Sequence, residues 1–153
     1  MISTELLRRY PFFAGLTDEQ LRELAMISDE RNFQEGETLF VGGESADYLY
    51  LLRNGNVELH YMVADERGME KTQDFLVGVI NPGEVFGISA VVEPYKYTTA
   101  AVAGGPSPVI EIEGAALRDL CETDIALKAL FQERIASTTF KRLQDSRVLL
   151  LAV

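Results

Sequence analysis

The chain has 153 residues, of which 47% are hydrophobic and 25% are charged, a balance that fits one folded domain and excludes wholesale disorder. Its net charge of −10 opposes binding to nucleic acid or to an anionic membrane, because proteins that bind either usually present basic faces. One cysteine and one histidine exclude a disulfide framework and a metal site built from several such ligands, and the lack of a long apolar run or an export signal predicts a cytoplasmic protein.

Residues 1–28 are predicted to form an N-terminal helical segment. Thr17–Gln20 has the sequence of a capping box, in which Thr17 caps the helix and Gln20 returns the hydrogen bond. Leu21 and Leu24 then fall on one face at helical spacing, and this face is expected to pack on the core.

Residues 29–112 change to short β segments that are separated by glycine-containing turns about every ten residues. Asn54–Gly55 is the strongest hairpin signal, because both residues tolerate positive φ. After it, Val57–Val63 alternates apolar and polar residues and predicts one buried strand face. About eight such strands without long helices between them predict an antiparallel jelly roll. The other turns are predicted at Gln34–Glu37, Val41–Glu44, Glu66–Gly68 and Asn81–Gly83.

Residues 113–153 are predicted to be helical, with a short helix at Ala115–Cys121 and a longer one from about Thr123 to Asp145. The segment from Thr123 onward carries a net charge of +2, whereas residues 1–122 carry −12. The longer helix has one stripe at spacings of three and four, which is typical of a two-fold helix seam. We therefore expect a homodimer through this helix, with burial against the chain's own barrel or docking of another protein as alternatives. The stripe consists of Leu127, Leu130, Phe131, Ile135, Thr138 and Arg142.

Three segments resemble the cyclic-nucleotide-binding domain family. Tyr10–Leu16 and Glu35–Leu59 match the N-terminal segment and the opening turns and strands of that family. Asn81–Val102 resembles its phosphate-binding cassette, which we call the cassette below. The resemblance covers essentially the whole chain and implies an eight-stranded jelly roll, or double-stranded β-helix, with flanking helices and a ligand inside the roll. One domain over 1–153 is therefore expected.

The cassette keeps the frame of the family but not its two charged contacts. In the family, a glutamate that binds the ribose hydroxyl follows Phe-Gly, and an arginine pairs with the cyclic phosphate. Here those positions hold Ile88 and Thr98. Losing one partner of a buried charged pair costs about 3–5 kcal/mol, or roughly a hundredfold or more in affinity. The resemblance therefore implies no tight binding of cyclic AMP or cyclic GMP. The positions that keep the family's pattern are Phe86, Gly87, Ala90, Thr99 and Ala100.

Weak binding of a cyclic nucleotide or another small anion remains open. The amides of Ile88–Ala90 follow a strand end and are placed to meet an anion. The hydroxyls of Ser89, Thr98 and Thr99 are candidate hydrogen-bonding groups. Lys96 lies two residues before Thr98 on an extended segment, so its ammonium is a candidate replacement for the missing arginine, with a solvent-exposed lysine as the alternative.

No combination of residues points to catalysis or to a metal, so the function is expected to be regulatory. In the first hypothesis, a small anionic ligand enters the roll and repositions the terminal helices, which changes contacts with another protein. In the second, the pocket is vestigial and the domain serves dimerisation or docking without a ligand. In the third, the chain is the sensor part of a transcription regulator without its DNA-binding domain. If the Ile88 side chain filled the pocket, the first hypothesis, sensing of a ligand inside the roll, would be excluded.

Overall fold

Two antiparallel four-stranded sheets share one hydrophobic core. A computed structural model describes residues 1–63 and 73–152 of the chain. The strand order is β1-β8-β3-β6 in one sheet and β2-β7-β4-β5 in the other, which confirms the predicted jelly roll. The predicted turn at Glu66–Gly68 lies outside the described residues. The strands are β1 (Ser28–Phe33), β2 (Thr38–Phe40), β3 (Tyr48–Leu52), β4 (Val57–Val63), β5 (Gln73–Ile80), β6 (Val85–Phe86), β7 (Ala100–Ala103) and β8 (Ser107–Glu113).

Helices flank the roll at both ends of the chain. The predicted capping box is confirmed, because the Gln20 amide donates to Thr17 Oγ1 at 3.1 Å and Gln20 Oε1 accepts from the Thr17 amide at 2.9 Å. Across the described residues, no helix is long and apolar enough to cross a membrane. The α-helices are α1 (Thr4–Arg8), α2 (Asp18–Met26), α3 (Gly114–Thr123) and α4 (Ile125–Leu151), and short 3₁₀ helices lie at Pro11–Phe13 and Ile88–Val91.

The hairpin predicted at Asn54–Gly55 is wrong. The turn is present, but β3 pairs with β6 and β8, whereas β4 pairs with β5 and β7, so the chain crosses here from one sheet to the other. Gly55 is still required, since its φ is +79° and an added Cβ would lie 2.2 Å from the Pro106 carbonyl oxygen. A local sequence signal therefore predicts where a turn forms, but it does not determine which strands pair.

The predicted alternation of β4 holds only at its start. Val57–His60 pairs with both β5 and β7, and Val57 is fully buried. Tyr61–Val63 pairs with β5 alone among the described strands, and all three side chains are exposed. The apolar residues at this end therefore extend past the second sheet's central pairing and do not enter the core.

The apolar stripe of α4 packs against its own chain. Leu127, Phe131 and Ile135 are buried, and the Phe131 ring meets Phe12 edge-on with centroids 5.7 Å apart. The expectation that this stripe faces a second copy is therefore wrong for these residues, because they are already buried within the chain. The alternative left open by the sequence, burial within the chain, is the observed arrangement.

Arg134 fastens the N-terminal segment to α4. Its guanidinium donates to the carbonyl oxygens of Pro11, Phe12 and Ala14 at 2.8, 2.9 and 2.9 Å. Gln20 makes a second link by donating to Asp124 Oδ2 at 3.0 Å, and Asp124 caps α4. Arg134 is therefore engaged within its own chain.

Candidate ligand-binding site

A cavity of about 310 Å³, which we call the roll cavity, lies between the second sheet, the cassette and α4. Its volume is near the lower end of the range of about 300–1,000 Å³ for small-molecule sites. Leu59 and Val77 line it from β4 and β5, and Phe86–Ser89 and Tyr97–Thr99 line it from the cassette. The residues contributed by α4 are Thr139, Arg142, Leu143 and Ser146.

Gly87 sets the path of the cassette where β6 ends. Its φ is +70°, a main-chain conformation that residues other than glycine rarely adopt. An added Cβ would also lie 3.1 Å from the Tyr48 carbonyl oxygen and 3.2–3.3 Å from the rings of Tyr50 and Tyr97. The 3₁₀ turn Ile88–Val91 follows directly. The main-chain frame that the sequence predicted is therefore present.

Tyr97 forms a rigid wall of the roll cavity. Its ring stacks on Phe40 with centroids 3.7 Å apart, and its hydroxyl donates to the Tyr48 carbonyl oxygen at 2.7 Å. Burial is the main cause that raises the pKa of Tyr97 to about 12. The side chain thus stays neutral and fixed, and it offers a ring face rather than a titrating group.

Ile88 lines the roll cavity without filling it. Its side chain is half-buried and packs against the core, yet the open volume remains beside it. The hydroxyl-bearing residues Ser89, Thr98 and Thr99 also line this space. The condition that would have excluded a ligand, complete occupation of the pocket by Ile88, is not met.

The remaining predicted residues fall into two groups. Phe86, Ala90 and Ala100 are buried and support the frame. Lys96 is exposed and does not line the roll cavity, and its main chain forms an isolated bridge with Ser45. The hypothesis that Lys96 meets an anion in the cavity stays a prediction, and this placement gives it no support.

Arg142 is a cavity residue absent from the predicted site. It enters from α4, and its Nη2 donates to the Val85 carbonyl oxygen at 2.6 Å. Its Nη1 is buried and has no hydrogen-bond partner among the described residues. Burial lowers the pKa of Arg142, against the opposing charge of Glu84. The signal was present in the sequence, because Arg142 continues the α4 stripe that faces the core.

Glu84 lies beside Arg142, in the turn before β6. Its Oε2 accepts from Lys141 Nζ at 2.6 Å and is 3.7 Å from Arg142 Nη1, too far for a hydrogen bond. Burial alone would raise the pKa of Glu84, but hydrogen bonds from Lys141 and the Asn81 amide, with the charge of Arg142, outweigh it and lower the pKa. Lys141 thus engages Glu84 more closely than Arg142 does.

Arg118 connects the cassette to α3. Its Nη1 donates to the Ala90 carbonyl oxygen at 2.6 Å, and its guanidinium carbon lies 4.0 Å from the centre of the Tyr95 ring. Both contacts involve the cassette segment that follows Gly87. Arg118 therefore links this segment of the cassette to α3.

Comparisons with known proteins agree with this geometry. The family model described as "Cyclic nucleotide-binding domain" matches residues 30–124. A "CRP-like cAMP-activated global transcriptional regulator" of Mycobacterium tuberculosis is 24% identical over 141 residues, which cover 92% of this chain and 58% of the regulator. The chain therefore spans a little over half the length of this curated relative.

Solved structures are similar over most of the chain. A protein of Geobacter metallireducens GS-15, provisionally named a cyclic nucleotide-binding protein, is 41% identical with a TM-score of 0.80, covering 94% of this chain and 99% of that one. The N-terminal domain of a transcriptional regulator from Streptomyces coelicolor A3(2) is 26% identical with a TM-score of 0.66, covering 91% and 93%.

Proposed function

This chain belongs to the cyclic nucleotide-binding domain family, and on that premise we propose that it is a non-enzymatic regulatory module that senses a small anionic ligand inside the jelly roll. The observation that carries the proposal is the roll cavity, which stays open beside Ile88 and is lined on one side by α4. A ligand there touches the cassette and the helix at once. We place this activity in the cytoplasm.

Ligand binding is proposed to act through the position of α4. A ligand can shift a conformational equilibrium only by binding one conformation better than another. The roll cavity has residues of both the cassette and α4 in its wall, so its occupant holds them at a fixed separation. Arg118 supports a second route, since it ties the Ala90 carbonyl to α3. The output is a changed angle of α4.

Cyclic AMP is proposed to bind weakly at most, although the M. tuberculosis relative is described as activated by it. Ile88 and Thr98 offer no carboxylate and no cation where the family has both. Calorimetry with cyclic AMP and cyclic GMP tests this directly. Sub-micromolar affinity of the unmodified chain for either nucleotide would contradict it.

A double substitution tests whether the frame is intact. Ile88→Glu with Thr98→Arg restores the family's two charged contacts on the main-chain path set by Gly87. The double variant should bind cyclic AMP measurably, and neither single variant should match it, because each restores only one partner of the ligand. Failure of the double variant, with its fold verified by circular dichroism, would show that the pocket no longer accepts a nucleotide.

A homodimer through the exposed face of α4 is part of the proposal. This face is separate from the buried stripe and repeats at spacings of four and three, as two-stranded helical seams do. Phe140 is 63% exposed and Leu143 45% exposed, and neighbouring exposed apolar side chains on one helix face can mark an interaction surface. The face consists of Ala136, Phe140, Leu143, Arg147 and Leu150.

Light scattering tests the dimer. The chain has a mass of 17.0 kDa, and a particle of twice that mass is expected at micromolar concentration. Phe140→Glu should shift the population toward the monomer, because it places a charge in the seam. Tyr61→Glu is the matched control, since Tyr61 is an exposed aromatic residue on β4 and does not belong to the α4 face. A monomeric unmodified chain would remove the dimer from the proposal.

A ligand-free docking or dimerisation domain is the second candidate, and the exposed apolar face of α4 favours it. A sensor part of a transcription regulator is a form of the first candidate, consistent with the similarity to regulators of greater length. Direct nucleic-acid binding is not proposed, given the net charge of −10. Absence of binding by any cyclic or linear nucleotide in a thermal-shift screen, together with a stable dimer, would favour the second candidate.

A further inference from the structure

The roll cavity contains one charged side chain among the described residues that line it. Its walls are otherwise made of apolar, aromatic, glycine and hydroxyl-bearing residues, and no carboxylate belongs to them. The charged residue is Arg142, which comes from α4 and not from the cassette. An anion that enters the cavity therefore meets a single cation, and that cation belongs to the helix.

The guanidinium of Arg142 is incompletely satisfied. Arginine carries five N–H donors, and the only hydrogen bond found for it among the described residues runs from Nη2 to the Val85 carbonyl oxygen. Nη1 is buried without a partner, and the side chain is only 14% exposed. Buried donors are normally hydrogen-bonded, so an orphaned one on a residue that lines the cavity needs an explanation. Because Nη1 has almost no accessible surface, an anion in the cavity reaches it only after the guanidinium turns toward the cavity.

Glu84 does not supply that explanation. Its Oε2 is 3.7 Å from Arg142 Nη1 but 2.6 Å from Lys141 Nζ, so the lysine is its nearer partner. Glu84 and Lys141 line a second groove and are not part of the wall of the roll cavity, whereas Arg142 lies between the two and lines both. Asp145 is likewise engaged by Lys141, at 3.4 Å. These carboxylates compete for the guanidinium without hydrogen-bonding to it.

We propose that Arg142 supplies the positive charge for the anionic group of the ligand, in place of the arginine that the cassette lacks at Thr98. This inference rests on the proposed sensing function and names the ligand class: a small molecule with a phosphate or carboxylate group and an apolar remainder. The anion accepts hydrogen bonds from the guanidinium and from hydroxyls of Ser89 or Thr99. The apolar remainder packs against Leu59 and Val77.

Placing the cation on α4 changes how binding is communicated. A cassette arginine would fix the anion to the roll, and the helix would respond only to the rest of the ligand. With Arg142, the charge contact itself spans the gap between the roll and the helix. Loss of the anionic group from a ligand should therefore weaken its binding and remove the movement of α4.

The test uses cyclic AMP and adenosine as probes, because they share a base and a ribose ring and differ in charge. Both are titrated to millimolar concentration into the full chain, with nuclear magnetic resonance detection of the amides and of the arginine side-chain Nε–H groups. The unmodified chain is expected to prefer cyclic AMP by about ten- to a hundredfold, the range for hydrogen bonds to a charged group. The Nε–H resonance of Arg142 should move with cyclic AMP alone.

Four variants make the result specific. Arg142→Gln should remove the preference for cyclic AMP and leave adenosine binding unchanged. Arg22→Gln, which removes an exposed cation of α2, and Lys96→Gln should both keep the preference. Glu84→Gln should raise the affinity for cyclic AMP several-fold, because it removes the nearest competing carboxylate while Gln still accepts from the Asn81 amide. If Arg142→Gln does not fold, the affinity of Glu84→Gln for cyclic AMP decides whether the proposal for Arg142 stands.

The failures are distinguishable. If neither probe binds the unmodified chain, the proposed sensing function fails for nucleotides and this inference fails with it. If cyclic AMP is preferred but Arg142→Gln keeps the preference, or Lys96→Gln removes it, only the inference about Arg142 is overturned. Equal affinity of the unmodified chain for the two probes, or unchanged affinity in Glu84→Gln, overturns it as well.

Discussion

The two halves of α4 serve the molecule differently. In residues 125–138, Leu127, Phe131 and Ile135 are buried, and Arg134 binds the N-terminal segment. In the described residues 139–151 no side chain is fully buried, and the apolar ones are mostly exposed. The first half is therefore part of the core of the domain, whereas the second half presents surface to the cavity on one side and to solvent on the other. One continuous helix combines a structural role with an available surface.

The largest expected difference between the halves is in stability. Phe131→Ala should lower the free energy of unfolding by about 3–5 kcal/mol, because it leaves a cavity against Phe12. Phe140→Ala should change it by no more than about 0.5 kcal/mol for the isolated chain, because that ring is exposed. Urea denaturation at low protein concentration measures both. Equal losses would show that the second half is also core.

Arg134 in the first half of α4 and Arg147 in the second half allow the same comparison of stability for a positively charged side chain. Arg134→Gln should cost about 1–3 kcal/mol, since it removes donors from three carbonyl oxygens at the end of the short helix Pro11–Phe13. Arg147→Gln removes the same charge from an exposed position of the second half and should cost little. Thermal unfolding of the two variants separates these outcomes, and an equally destabilised Arg147 variant would contradict the division.

The smallest effect concerns Glu84, which holds the second half of α4 through Lys141. Its pKa is lowered from the ordinary value of 4.5, so the folded state binds its proton less readily than the unfolded state does. The stabilisation is therefore present above that value and is lost as the pH falls through the folded pKa below it. The advantage of the unmodified chain over Glu84→Gln should be at most about 1 kcal/mol at neutral pH, for a partly exposed pair.

That advantage should vanish in acid, where both chains carry an uncharged side chain at position 84. Urea unfolding of each chain across the acidic range measures the difference. An advantage that grows as the pH falls would show that the ion pair with Lys141 does not stabilise the fold.

Much of the fold could be predicted because the signals are local. The capping box at Thr17–Gln20 involves residues three apart, and the glycine turns mark where strands end. Strand partners depend on distant segments, so the same reasoning failed at Asn54–Gly55. The cassette frame was also predicted, since Gly87 and the turn after it are contiguous in sequence.

The charge of the candidate site could not be assigned from the cassette alone. Lys96 is a candidate for the missing cation because it is close to Thr98 in sequence, but it does not line the roll cavity. Arg142 lies more than forty residues further along the chain and reaches the same cavity because α4 folds back over it. Its place on the α4 stripe is visible in the sequence, but the stripe alone does not tell whether it faces the roll or a second copy of the chain.

The contacts of Arg134 also define a mechanical geometry. They anchor α4 to the N-terminal segment just before Ile135, so the helix beyond that point acts as a lever with a fixed fulcrum. From Ala136 to Leu151 the arm measures about 24 Å at 1.5 Å per residue. A tilt of about 5° at the fulcrum would carry the tip about 2 Å sideways, the scale on which packed interfaces exchange one arrangement for another. A displacement of the helix at Arg142, about 9 Å along this arm, would thus be more than doubled at the far end.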